Sequence, residues 1–282
     1  MNATRRLAIV GTENSHAEEI VRHLNVKQIS PHARVTALVG EDDARNRELA
    51  ELGGGLPIVP TATAVLGLVD ALIVTNRDGA LHRAQAVPFL EAGIPVWVDK
   101  PLAAGTADAR AIIEAAARGG APMTSYSAVR WVPDADRLEE AATGIGEIQA
   151  VTVTGPADPA SEHSGIFFYG IHAADLAQRL APGVPGPVEV ERSGATVVAR
   201  YRCGGVPVTL QLVTPDDAGR VPFHAEIVGR HGLVSRDIEL DADYVEPGLR
   251  VFLRMLESGV PPLDAEVLLA PITVLEQIRA AL

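Results

Sequence analysis

The chain predicts a doubly wound parallel sheet followed by an α+β region, and three observations carry that expectation. Up to about residue 125, short apolar runs alternate with helix-length segments, the pattern of parallel strands buried on both faces. Beyond Pro122 the runs alternate apolar and polar residues instead, as strands with one solvated face do. Glycine or a Pro–Gly stretch punctuates the junctions between them.

Leu7–Val10 is the first buried run, closed by Gly11, and Ile20, Val21 and Leu24 then mark one face of a helix over 17–24. Arg34–Val39 predicts a second strand ending at Gly40, and a charged helix over 42–52 is stopped by Gly53–Gly55. Val69–Thr75 is the third strand, and the helix after it, 81–90, stops at Gly93. Ile94–Val98 runs into Asp99-Lys100-Pro101, before an alanine-rich helix over 103–118. Ligands of such sheets lie beyond the carboxyl ends of the strands. Functional loops are therefore expected at 11–16, 40–43, 75–78 and 99–101. Farther on, half-buried strands are predicted at 148–154, 196–202, 206–213, 223–228 and 233–238, with helices at 131–142, 168–180, 249–257 and 265–282. The expectation is a Rossmann-type domain over 1–122 and an α+β domain, on an open and mostly antiparallel sheet, over 123–282.

Composition narrows the function. The 282 residues carry 24 Lys+Arg against 36 Asp+Glu, a net charge of -12, which argues against a nucleic-acid partner. A single cysteine, Cys203, excludes an internal disulfide or a cysteine metal cluster and reads as a packed residue. No apolar run approaches the roughly 20 residues that span a bilayer, and the first residues do not form a signal peptide. The expectation is a cytoplasmic protein with no membrane partner.

Three groups of residues point to chemistry. Gly11-Thr12-Glu13-Asn14-Ser15-His16 stands where a dinucleotide fingerprint belongs, but only its first glycine is present. Glu13 and His16 take the places of the second and third. Asn14, Ser15 and the helix N-terminus remain as donors to an anionic group. Where an acid would bind the adenine ribose stands Gly40, with Glu41 next. Read alone, these loops fit a dinucleotide or another phosphate- or substrate-binding loop equally. Lys100, at the end of a buried strand, is either an acid–base group with a pKa lowered by burial or a surface lysine before a helix-starting proline. His172 and Asp175, three apart on one helix face, are either a proton-transfer pair or a surface polar pair.

Together, the glycine loop, Asp99-Lys100-Pro101 and Gly170-x-His172-x-x-Asp175 resemble the Gfo/Idh/MocA oxidoreductases, the relatives of glucose–fructose oxidoreductase and inositol dehydrogenase. The resemblance extends to Leu81–Gly93, Gly146-Glu147-Ile148 and the C-terminal Phe252–Pro262. It implies a dehydrogenase or reductase using NAD or NADP on a sugar, cyclitol or related polyol. It implies that His172 handles the hydroxyl proton, that Lys100 polarises the same oxygen, and that Asp175 holds substrate or tunes His172. Arg130 and Tyr169 are implied to meet the substrate. Gly11, Asn14, Ser15, Gly40, Glu41, Thr75, Asn76, Asp99, Lys100 and Pro101 are implied to form the cofactor side, with Thr75 and Asn76 nearest the nicotinamide. Because an open sheet leaves an uncovered face that homo-oligomers commonly bury, a homodimer or homotetramer through the second domain is expected. Glu13, His16 and Gly40 depart from the family pattern. They keep open a non-redox enzyme, metal-assisted through Glu13, His16, His163 and His172, or a cofactor-free binding subunit. No metal is expected on the leading reading.

Overall fold

The computed structural model describes residues 4–282. They form two compact units, which the chain enters more than once. The first contains the chain through Ala103, Ala107–Ser125 and Val245–Leu263; the second contains Ala104–Thr106, Tyr126–Tyr244 and Asp264–Leu282.

The first unit is a five-stranded sheet of β1 (Arg5–Val10), β2 (Ala33–Val39), β3 (Ala71–Val74), β4 (Val96–Val98) and β5 (Met123–Thr124), all paired in parallel in the order β2-β1-β3-β4-β5. Helices α1 (Ser15–Val21), α2 (Asp43–Leu52), α3 (His82–Glu91) and α4 (Thr106–Gly119) are the crossovers. Leu7, Ile9, Leu72, Ile73, Val96 and Val98 are fully buried, which is why these runs read as uninterrupted apolar strands. Strand order reverses direction between β1 and β3, so their carboxyl ends flank the crevice where this architecture takes ligands. β5 has only two residues and carries no sequence signal of its own.

The second unit adds α5 (Pro133–Ala142), β6 (Ile148–Pro156), α6 (Phe167–Leu180), β7 (Glu189–Ser193), β8 (Thr196–Cys203), β9 (Val206–Val213), β10 (His224–Gly229) and β11 (Gly232–Asp237). Its sheet runs β11-β10-β6-β9-β8-β7. Every pair is antiparallel except β6 with β9, which are parallel at its centre. Alternation of buried and half-exposed residues along β6, β8 and β9 leaves one face to the core and one outside. β7 escapes the sequence reading because Glu-Val-Glu-Arg-Ser has one apolar residue and sits at the sheet edge, where charge is favoured.

Helix α7 (Glu246–Ser258) lies in the first unit, although the sequence places its whole region in the second. Its Phe252 packs on Trp97 of β4 with ring centroids 5.7 Å apart. The last helix, α8 (Ala265–Ala281), belongs to the second unit and packs on α6. Gly170 permits that approach, since a Cβ there would come 3.1 Å from Leu275 Cδ2.

Candidate active site

In the first unit, three loops meet at the carboxyl ends of β1, β3 and β4. Gly11 has φ +88° and an added Cβ would lie 2.3 Å from the Asn76 backbone nitrogen, so only glycine fits. Thr75 Oγ1 donates to the Gly11 carbonyl at 2.5 Å, tying β3 to that loop. Asn14 caps α1 by accepting the His16 N–H at 3.0 Å, and its Nδ2 donates to Asp99 Oδ2 at 3.3 Å. Asn14 is thus spent on the fold, while Ser15 and Glu41 stay exposed.

His16 does not leave the gap a glycine would. Its Nδ1 lies 2.7 Å from Asp99 Oδ2, both side chains almost wholly enclosed. Burial pushes the Asp99 carboxyl up, but the adjacent His16 ring and Lys100 more than offset it and leave it below its ordinary value. Lys100, 5% exposed, answers the sequence question: it is a buried lysine. Burial lowers its pKa, Asp99 opposes that and Arg77 adds to it. His82, also fully buried, places Nδ1 2.7 Å from the Pro101 carbonyl and Nε2 2.8 Å from the Asn76 carbonyl, clamping the β3 and β4 loops together. Burial lowers its pKa against the pull of those carbonyls.

Glu13 turns toward the β3 loop, accepting the Arg77 N–H at 3.0 Å and Asn76 Nδ2 at 3.5 Å. Its charge is met by amides of this chain rather than left facing an incoming phosphate. Asn76 Oδ1 is buried with no hydrogen-bond partner, an acceptor suited to an amide or hydroxyl donor of a ligand. A Cβ on Gly40 would lie 1.9 Å from Thr12 Oγ1, so the ribose position is closed to a side chain and Glu41 follows it at the surface. These features fit a dinucleotide laid over β1 and β3: a glycine-only approach, a helix N-terminus and an unmet buried acceptor. Arg45, the nearest guanidinium to that end in sequence terms, is held by Glu18 at 2.8 Å and Glu48 at 2.7 Å.

In the second unit, α6 presents His172 and Asp175 as the spacing predicts, but they do not bond as a pair. Asp175 Oδ1 accepts Arg130 Nε at 2.9 Å and its Oδ2 accepts the Ser127 N–H at 2.7 Å. Arg130, implied to meet the substrate, is 5% exposed and also donates to the Asp175 carbonyl at 3.2 Å. His172 Nδ1 lies 2.5 Å from Ser127 Oγ, a residue the sequence reading missed. The imidazole is flanked by the Tyr169 ring at 5.7 Å and the Phe223 ring at 5.1 Å. Tyr169 is exposed, and His163 stacks edge-on against Phe168 at 4.8 Å. His16 and His163 are each engaged within their own unit, in contacts other than the metal set considered from the sequence. Cys203 is buried and contacts Gln178 and the Gly183 carbonyl, as a packed residue does.

Residues 5–127 match the model of the Gfo/Idh/MocA family, described as an oxidoreductase family with an NAD-binding Rossmann fold. An inositol 2-dehydrogenase from Cereibacter sphaeroides is 33% identical over 132 residues, 45% of this chain and 37% of that enzyme. The alignment thus spans little more than a third of this curated relative's length. Among solved structures, GenD2 from gentamicin A biosynthesis, in complex with NAD, superposes with a TM-score of 0.84 at 19% identity, covering 100% of this chain and 95% of its own. Myo-inositol 2-dehydrogenase from Lactobacillus plantarum gives 0.83 at 16% identity, covering 99% and 97%. These two establish the shared fold. No helix among the described residues is long and apolar enough to cross a membrane.

Proposed function

We propose that the protein is an NAD-dependent oxidoreductase acting on a CH–OH group of a cyclitol, sugar or related polyol. The observation that carries this reading is Lys100, buried beside Asp99 just past the end of β4 in a Rossmann unit, where burial lowers its pKa, the setting in which functional lysines are found. The cyclitol preference rests on the inositol 2-dehydrogenase whose sequence this chain shares in part.

Gly11, the N-terminus of α1, Thr75 and Asn76 would hold the dinucleotide, with Asn76 Oδ1 accepting from it. When bound, the nicotinamide supplies the hydride acceptor or donor. What the chain must supply is management of the hydroxyl proton, and Lys100 and His172 are its candidates. Asp175, neutralised by Arg130, supports the loop that carries Ser127 and does not meet substrate. NAD is favoured over NADP because Glu41, Asp42 and Asp43 follow β2 and the Arg45 guanidinium is already bound to two carboxylates. A cytoplasmic homodimer or homotetramer, closing over the half-exposed face of the β6–β11 sheet, completes the proposal.

The test is calorimetric titration of nucleotide-stripped protein with NAD⁺, NADP⁺ and both reduced forms, followed by turnover of myo-inositol with His172→Ala as control. Micromolar binding of NAD⁺ with turnover lost in His172→Ala is expected. Folded protein that binds none of the four nucleotides overturns the reading.

A further inference from the structure

The adenosine end of a dinucleotide is ordinarily read just past the second strand, by an acid for the ribose 2′-hydroxyl or a nearby arginine for a 2′-phosphate. Here Gly40 follows β2, and the space beside it is taken. A Cβ on Gly40 would lie 1.9 Å from Thr12 Oγ1 and 2.5 Å from Asn46 Oδ1. Thr12 is 0% exposed and Asn46 1%, so both side chains are enclosed where they stand.

Hydrogen bonds hold that volume. Thr12 Oγ1 donates to Asn46 Oδ1 at 2.5 Å, and Asn46 Nδ2 donates to the Gly40 carbonyl at 2.9 Å. The Asn46 amide is engaged at both ends, which fixes its orientation. Arg45 draws the same loop onto α2 through its Nε and the Thr12 carbonyl, at 3.4 Å, while its guanidinium is held by Glu18 and Glu48. The N-terminus of α2 is closed as well, because Asp42 accepts the Ala44 and Arg45 N–H groups at 2.8 and 3.1 Å. Glu41, Asp42 and Asp43 are exposed there.

We propose that Thr12 and Asn46 are the specificity-determining residues of the adenosine end: their bonded pair fills the place of the ribose-binding acid, so that the unit takes NAD without reading the 2′-hydroxyl and turns NADP away by charge. The proposal deepens the dehydrogenase reading above and rests on it for the cofactor. A 2′-hydroxyl gains nothing here, since no carboxylate can be seated at residue 40 to accept from it. A 2′-phosphate meets three exposed acids, a helix terminus already capped and a guanidinium already bound to two carboxylates, so its added negative charge is repelled. Gly40 and the Thr12–Asn46 pair belong together, because only a residue without a side chain leaves the pair its room.

The test is calorimetric titration of nucleotide-stripped protein with NAD⁺, its 2′-deoxyadenosine analogue and NADP⁺. NAD⁺ and the 2′-deoxy analogue are expected to bind within about threefold of each other, whereas losing a hydrogen bond to a carboxylate would cost about tenfold or more. NADP⁺ should bind more weakly than both, by a margin that shrinks as salt is added. Thr12→Ala with Gly40→Asp makes room for the acid and installs it, and should prefer NAD⁺ over the 2′-deoxy analogue by about tenfold. A preference of that size in the wild type, or none in the folded double variant, overturns the proposal. The packing has its own readout, which needs no cofactor. Gly40→Ala should lower the melting temperature by several degrees in the wild-type background and by less in Thr12→Ala, which lacks the clashing hydroxyl. Equal losses in the two backgrounds overturn the pair's role. Should the double variant not fold, the wild-type titrations and the melts decide alone. Protein that passes the melting comparison yet binds none of the nucleotides fails the dehydrogenase reading and not the pair.

Discussion

The two units treat buried charge in opposite ways. In the first, Asp99 takes the His16 ring and Asn14 Nδ2 and stands beside the Lys100 amine. In the second, Asp175 is held by Arg130 and the Ser127 N–H, while His172 meets the Ser127 hydroxyl and the Tyr169 and Phe223 rings. A saturated pair costs little to keep and transmits no charge, which suits a scaffold. A shared carboxylate beside a buried lysine leaves the lysine's protonation finely poised, which suits a proton carrier. Chemistry and scaffolding can be told apart by how completely each charge is paid back.

The contrast is broken most severely at Lys100. Lys100→Met should lower kcat for myo-inositol oxidation by about 10²–10⁴-fold while leaving the protein folded, because methionine fills the same volume without a buried charge. The pH dependence gives a second check. Folding lowers the lysine's pKa from its ordinary 10.5, so between the two values the unfolded chain binds more protons and wild-type stability rises with pH. Any stability advantage of Lys100→Met at neutral pH should therefore shrink as pH climbs toward 10.5. An advantage that stays constant over that range would mean Lys100 is not buried as a charge.

The saturated pair makes the opposite forecast. Arg130→Ala strands Asp175 and should cost about 3–5 kcal/mol in denaturant unfolding, whereas Arg130→Met with Asp175→Leu should recover most of it. If Arg130→Ala unfolds within 1 kcal/mol, roughly the worth of an exposed pair, the scaffold role is wrong.

How much of this was readable from residues follows from the range of each interaction. Strands β1 to β4 were legible because burial on both faces writes an unbroken apolar run, and Gly11 because a tight turn allows nothing else. His172 and Asp175 were legible as positions, since helical spacing is local. Their partners were not: Ser127 lies 45 residues from His172, and Asp99 lies 83 from His16. Spacing cannot express a bond across that distance, so neither the Arg130–Asp175 pair nor the His16–Asp99 contact is visible in the sequence. The return of α7 to the first unit was hidden for the same reason, because Trp97 and Phe252 announce only that each is apolar.

His16 is the partner of Asp99 that stands in the place of the third glycine. His16→Ala removes a buried contact to Asp99 and should cost about 1–3 kcal/mol at neutral pH. The sign with acid is fixed. Asp99 ionises below its ordinary 3.8 in the folded protein, so its contribution is present above 3.8 and disappears as pH falls through the folded value. Without His16 the folded value moves up, and acid unfolding, followed by far-UV circular dichroism, should begin at higher pH. An unchanged acid transition would assign the low value to Lys100 alone.

The smallest effect tests whether the first unit also contains a saturated charge. Arg45 is such a case, with Glu18 and Glu48 on its guanidinium and its Nε donating to the Thr12 carbonyl at 3.4 Å. Glu18 ionises more readily for it, its carboxyl lowered first by the hydrogen bond from Arg45 and then by Arg22. If this saturation is what withholds a cation from a 2′-phosphate, Glu18→Gln with Glu48→Gln should tighten NADP⁺ binding by about tenfold, or roughly 1.4 kcal/mol, with NAD⁺ affinity unchanged. Equal gains for both nucleotides would trace the effect to a less acidic surface, because added attraction for any polyphosphate does not discriminate between them. A gain confined to NADP⁺ would place cofactor choice in the same rule that separates Asp99 from Asp175: a charge acts on a ligand only where the protein has left it unfinished.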